Sequence, residues 1–269
     1  MPSERRAELL PSRRWGAARP EKPTLVLLHG LYGHSAQWWL YVKALRGAFD
    51  VVALDMRNHG EAFHAPTQRH EEMADDVLRT LNAMGVGRFW LVGHSMGGRV
   101  AMRIAQRECD RVLGCVSLDA PIPTEAFSIK LEHYHQRVVQ LLRATEAEAG
   151  VPRQELRRRL LERRLDSQMA GYALRNYVLR DGEWGWRVGF EGISDHVFNR
   201  LSEPLDGSPI MCPFLLLEAE RSILCWHITA ELFARFAPNG TRRVGAGESH
   251  LSLLFSPAVV VEWLRGVSG

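Results

Sequence analysis

The sequence predicts an α/β fold: a mostly parallel central sheet with helices on both faces and an inserted helical cap. Three observations carry this. Short, continuous apolar runs recur along the chain, helical patterns separate them, and the segment 121–209 shows helical patterns without a buried strand. Strands that alternate with helices make βαβ units, whose parallel sheet is covered on both faces. The core is therefore assigned to 1–120 and 210–269, and the cap to 121–209.

In chain order, "TLVLLHG" (Thr24 to Gly30) is the first apolar run, short and ending in a turn, as a strand buried on both faces should be. "FDVVALDMRNHG" follows with Val51, Val52, Ala53 and Leu54 and breaks at Asp55. "HEEMADDVLRTLNAMG" places Met73, Val77, Leu81 and Met84 at helical spacing and stops at Gly85, a C-terminal cap signal. "RFWLVGHS", "VLGCVSLDAP" and "MCPFLLLEAE" are three further strand runs, and "GGRVAMRIAQREC" a helix. In the cap, "VPRQELRRRLLERRLDSQM" puts Leu156, Leu160, Leu161, Leu165 and Met169 on one stripe, with its arginines on a solvated face. The aromatic-rich "EWGWRVGFEGISDHVFNRL" comes next, and "TAELFARFAP" and "SPAVVVEWLRGV" supply the last helices. A helical insertion of this size reads as a cap over the C-terminal edge of the sheet, where α/β folds keep their sites.

Composition narrows the function. The chain has 269 residues, 46% hydrophobic and 24% charged, and a formal net charge of +3, too mild to argue for nucleic acid. No apolar run reaches the length of a membrane span. Cys109, Cys115, Cys212 and Cys225 are scattered without a zinc or C-x-x-C spacing, which reads as reduced thiols in a cytoplasmic protein. The arginines of the first 23 residues suggest a mitochondrial presequence as a second address, but Glu4, Glu8 and Glu21 are unusual there. No metal site or organic cofactor is expected.

The chemistry centres on "GHSMG", Gly93 to Gly97. It follows the strand "FWLV" and opens a helix, the setting of a nucleophile elbow. There the serine takes a sparsely allowed backbone conformation, and neighbours without side chains let strand and helix pack closely. The competing reading is a tight glycine turn with an incidental serine. A serine hydroxyl needs a base, and His250, in the glycine-marked loop "VGAGESH" before the final helix, stands where that base belongs. The group that orients the histidine is either Asp119, closing "CVSLD", or Glu220, after "FLLLEAE", with Asp119 favoured. In "HGLYG", the N–H of Leu31, together with that of Met96, is placed to form an oxyanion hole. Tyr32 and the aromatics Trp184, Trp186 and Phe198 are candidate substrate contacts, with a purely structural role as the other reading.

On "LLHGLYG", "LDMRNHGEAFH", "EEMADDV", "LVGHSMGGRVAM" and "VSLDAPIP" the chain resembles the α/β-hydrolase superfamily. More narrowly it resembles the small esterases of the bacterial YbfF and animal abhydrolase-domain-11 type, from "LLPSRRWG" to the last helix. The resemblance implies hydrolysis of carboxylic esters or thioesters of acyl chains without metal or organic cofactor. It carries the nucleophile onto Ser95, the acid onto Asp119, the base onto His250, and the oxyanion donors onto Leu31 and Met96. The chain departs from the pattern in two places: Glu248 and Ser249 stand between Gly247 and His250, and "LEAERSILCW" replaces a glycine-rich stretch.

The expected reaction is acyl transfer through an acyl-enzyme on a small-molecule substrate, with activity rising with pH as the histidine base loses its proton. The same triad also serves carbon–carbon bond hydrolysis or perhydrolysis, and a catalytically silent ligand-binding module is a reading from a different class. Epoxide hydrolase and dehalogenase chemistry is disfavoured, because those relatives place an aspartate at the Ser95 position.

Overall fold

The computed structural model of the protein describes residues 8–16, 22–122, 129–148, 150–201, 203–205, 207–222 and 224–267. Glu4 and Glu21, on which the presequence reading turned, lie outside these. The apolar runs become strands: β1 (Ser12–Trp15), β2 (Thr24–Leu28), β3 (Asp50–Leu54), β4 (Phe89–His94) and β5 (Val112–Leu118). Between and after them lie α1 (Trp39–Leu45), α2 (His70–Ala83) and α3 (Met96–Arg107). The segment after β5 holds α4 (Ile129–Arg143), α5 (Arg153–Glu162), α6 (Ser167–Ala173), β6 (Tyr177–Arg180), β7 (Glu183–Trp186) and α7 (Phe190–Asp195). The chain then returns through β8 (Phe214–Ala219), α8 (Ala230–Phe236), β9 (Gly240–Gly245) and α9 (Ala258–Val267).

Seven strands form one sheet in the order β1-β3-β2-β4-β5-β8-β9. Only β1 runs antiparallel; every other pairing is parallel. Side chains along β3, β4 and β8 are buried throughout, which explains their continuous apolar runs: helices cover both faces. β9 is one of the two edge strands, and its sequence "GTRRVG" is correspondingly exposed in the middle. Among the described residues, no helix is long and apolar enough to cross a membrane.

Two elements of the segment between β5 and β8 differ from the sequence expectation. The apolar stripe from Leu156 to Met169 is not one helix. Arg164 takes φ 63°, and Asp166 starts α6 by accepting the Met169 N–H at 2.8 Å. Such a capping side chain competes with helix continuation. The stretch around Trp184 is not helical but a hairpin, β6 paired antiparallel to β7. Its turn residues Asp181 and Gly182 both have positive φ, 51° and 87°, as the primed two-residue turns require.

Candidate active site

Ser95 sits between β4 and α3 with φ 52° and ψ −118°. Its N–H donates to the Leu118 carbonyl at 3.0 Å, which ties the turn to the adjacent strand. The turn is so tight that a Cβ at Gly93 would lie 2.1 Å from the Gly97 carbonyl oxygen, and one at Gly97 2.3 Å from that of Leu28. Both obstacles are backbone, so the glycines of "GHSMG" are demanded by close packing. Met96 begins the helix, leaving its N–H among the first-turn donors without an intrahelical acceptor.

Asp119 follows the neighbouring strand and is fully buried, with φ 46° and its N–H donating to the Leu217 carbonyl at 2.8 Å. Its Oδ2 lies 2.7 Å from His250 Nδ1. Oδ1 accepts the Ala219 N–H at 3.1 Å. Burial alone would raise this carboxyl's pKa. The hydrogen bond and charge of His250, with bonds from Ser222 and the Ala219 N–H, outweigh burial and hold it below the usual carboxylate range. Glu220 stands elsewhere: its side chain accepts the Gly247 N–H at 2.6 Å. Glu218, two residues earlier, pairs with Arg242.

The Glu248-Ser249 insertion is accommodated inside the loop. Glu248 N–H donates to the Gly245 carbonyl at 3.1 Å, its own carbonyl accepts the Arg221 N–H at 2.9 Å, and its side chain accepts from Ser252 Oγ. His250 therefore still reaches Asp119. His94 supports it from below. The His94 Nε2–H donates to the His250 carbonyl at 2.9 Å, and the two rings lie 4.5 Å apart. Burial pushes the His94 pKa down to about 3, so this neighbour stays neutral.

The loops flanking the site are held by a polar pair sequence reasoning did not single out. His29 Nε2 accepts the Met56 N–H at 3.0 Å, joining the loops after β2 and β3. Asp55 accepts the N–H groups of Ser35 at 2.6 Å and Glu61 at 3.0 Å. Leu31, two residues after His29, lines the cavity beside Ser95.

Ser95, His250 and Leu31 open into one cavity of about 290 Å³. Its other walls come from α4 and α6, chiefly Tyr134, His135, Met169 and Tyr172, and from Arg221 and Leu251. The four expected substrate contacts are not among its lining residues. Tyr32 is buried behind its loop, its carbonyl accepting Asn176 Nδ2 at 2.7 Å. Trp184 stacks on Tyr177 at 5.8 Å, Trp186 donates its indole N–H to Thr145 Oγ1 at 2.9 Å, and Phe198 is exposed. Trp184 and Trp186 belong to the hairpin, whose rings pack among themselves rather than over the serine.

The profile of the alpha/beta hydrolase fold matches residues 23–257. The chain belongs to the α/β-hydrolase family. Within it, the chain is 31% identical over 206 residues to the sn-1-specific diacylglycerol lipase ABHD11 of Danio rerio, a match covering 74% of this chain and 63% of that protein. It is 27% identical over 165 residues to esterase YbfF of Escherichia coli strain K12, covering 61% of this chain and 62% of that one. The matches thus span somewhat under two thirds of each relative's length. Among solved structures, a marine microorganism esterase aligns at TM-score 0.85 and 25% identity, covering 96% of this chain and 99% of that one. Esterases and lipases of the α/β-hydrolase fold are this chain's relatives.

Proposed function

We propose that the protein hydrolyses carboxylic esters or thioesters of acyl chains, with Ser95 as nucleophile, His250 as base and Asp119 as the acid that orients it. The observation that carries the reading is the 2.7 Å contact of His250 Nδ1 with buried Asp119, beside a serine held on a strained turn at the same cavity. With Nδ1–H donated to the carboxylate, Nε2 is the basic nitrogen. It takes the proton of Ser95 Oγ as that oxygen attacks the acyl carbonyl carbon. The N–H groups of Leu31 and Met96 hold the negative oxygen of the tetrahedral intermediate, aided by the positive end of α3. The intermediate collapses, and His250 passes the proton to the departing alcohol or thiol. Water then loses a proton to His250 and attacks the acyl-serine, and collapse returns the proton to Ser95 and frees the carboxylic acid.

The relatives named for ester and diacylglycerol cleavage support the acyl class. A fluorophosphonate probe and short p-nitrophenyl esters test the reading. The wild type should label and turn over, and Ser95→Ala should neither label nor retain more than about one part in 10⁴ of kcat. A wild type that is inert to both reagents overturns the proposal.

A further inference from the structure

Behind Ser95 lies a second, smaller cavity of about 30 Å³, which shares Leu31, Ser95, His135 and Leu224 with the larger one. Buried polar side chains stand in its otherwise apolar lining. His70 at the start of α2, Arg99 in α3 and His196 after α7 line it, with exposures of 3%, 3% and 0%. Buried polar groups are almost always hydrogen-bonded. Here both ring nitrogens of His70, Nε2 of His196 and Nε of Arg99 have no partner among the described residues. The remaining groups are fixed. The Arg99 terminal nitrogens donate to the carbonyls of Leu201 and Glu203, and His196 Nδ1 bonds the Gln68 carbonyl at 2.9 Å. Carbonyls satisfy hydrogen bonds but do not balance charge, and the Glu203 carboxylate, paired with Arg69 at 3.0 Å, acts on Arg99 less than burial does.

We infer that this cavity is an acyl-end subsite for a carboxyl group, so that the preferred substrates are esters of short dicarboxylic acids. The carboxylate would accept from Arg99 Nε–H and from the N–H of His70, and its charge would balance the buried guanidinium. His196 presents a lone pair at Nε2, and an arriving anion lowers the cost of adding a proton there. Burial pushes the Arg99 guanidinium down to about 9, which leaves it cationic at neutral pH. The cavity's volume suits one such terminus and not a fatty chain. Because Ser95 forms part of both cavities, a short acyl group can sit in the small one while its leaving group occupies the large one.

The inference rests on the hydrolase reading, and the test separates the two. Hydrolysis of monoethyl succinate is compared with that of ethyl succinamate, its neutral amide, and ethyl 4-methylpentanoate, whose isopropyl end has the same shape. The same three esters at one methylene longer cover the chain length. The carboxylate ester should lead in kcat/KM by about tenfold or more, the worth of a hydrogen bond to a charged group. His70→Leu should reduce that lead at least fivefold. If the amide matches the carboxylate, the cavity is a water-sized polar niche; if the isopropyl ester leads, it is an ordinary acyl pocket. Either result overturns the inference while leaving the hydrolase intact. Should no ester be cleaved, calorimetry on Ser95→Ala with monoethyl succinate and ethyl succinamate decides: failure to bind the acid more tightly than the amide sinks the subsite on its own.

Discussion

In the sheet, β3, β4 and β8 bury every residue, and the polar groups among them are tied to partners on neighbouring strands or loops. The segment between β5 and β8 is built the other way. Of the ten residues of α5, only Leu156 and Leu160 are buried, and its arginines pair with Glu148, Glu155 and Glu162 at the surface. One region fixes positions through close contact of backbone with backbone; the other contributes side chains to a cavity wall. The lesson is that geometry at Ser95 should be intolerant of small changes in the sheet, whereas the segment above should tolerate large ones outside the cavity lining.

The strongest test of that contrast is at the end of β5. Asp119→Asn leaves the shape intact but favours the wrong histidine tautomer, so kcat should fall by about 10³–10⁴. Glu220→Gln, at the end of β8, loses only a loop bond to Gly247 and should stay within about twofold. Steady-state kinetics on both variants measure the difference. A larger loss at Glu220 would reverse the assignment of the acid.

Gly97→Ala tests the backbone itself. Its new Cβ would meet two carbonyl oxygens, of Leu28 at 2.3 Å and His29 at 2.5 Å, neither of which can turn aside. Destabilisation of about 3 kcal/mol or more is expected, read as a lower urea midpoint. An unchanged midpoint would mean the elbow has slack that its geometry denies.

Asp55 sets a smaller effect with a pH signature. Burial works to raise its pKa, but His29 and the N–H groups of Ser35 and Glu61 outweigh it and bring the value below that of a free carboxyl. A depressed folded-state pKa contributes stability above the unfolded value, and that contribution disappears as pH falls through the folded one. Asp55→Asn should therefore cost about 1–3 kcal/mol at pH 7. The gap in melting midpoint between wild type and variant should narrow below about pH 4. A gap that widens in acid would mean Asp55 is not an ionised acceptor.

Much of this contrast was legible in the chain. Apolar runs without alternation announced strands covered on both faces, and the elbow announced itself because its glycines answer a steric demand within a few residues. The choice between Asp119 and Glu220 was legible only as a preference for Asp119, since both end strands. Which carboxylate meets His250 depends on how β5 and β8 register and on a loop folded around Glu248. The cavity wall was not legible for a related reason. Aromatic content marks packing, not direction, so Trp184 and Trp186 drew attention while Met169 and Tyr172, on a helix begun by Asp166, line the cavity. The turn pair Asp181-Gly182 was the available signal for the hairpin. His70, Arg99 and His196 lie far apart in sequence, and only the fold brings their unpartnered atoms to one cavity.

The mildest expected effect lies on the surface of α5. Arg158 bridges Glu155 at 2.7 Å and also contacts Glu162, and its side chain is 58% exposed. Exposed pairs gain little in high dielectric, because ordering two long side chains and screening by salt offset the attraction. Arg158→Ala should move the melting midpoint by no more than about 1 °C and leave ester turnover unchanged. A drop of several degrees at low salt that disappears at high salt would show the ion pairs acting as a network. The segment would then be held as firmly by charge as the sheet is by close packing, and the contrast between the two regions would fail at the surface of α5.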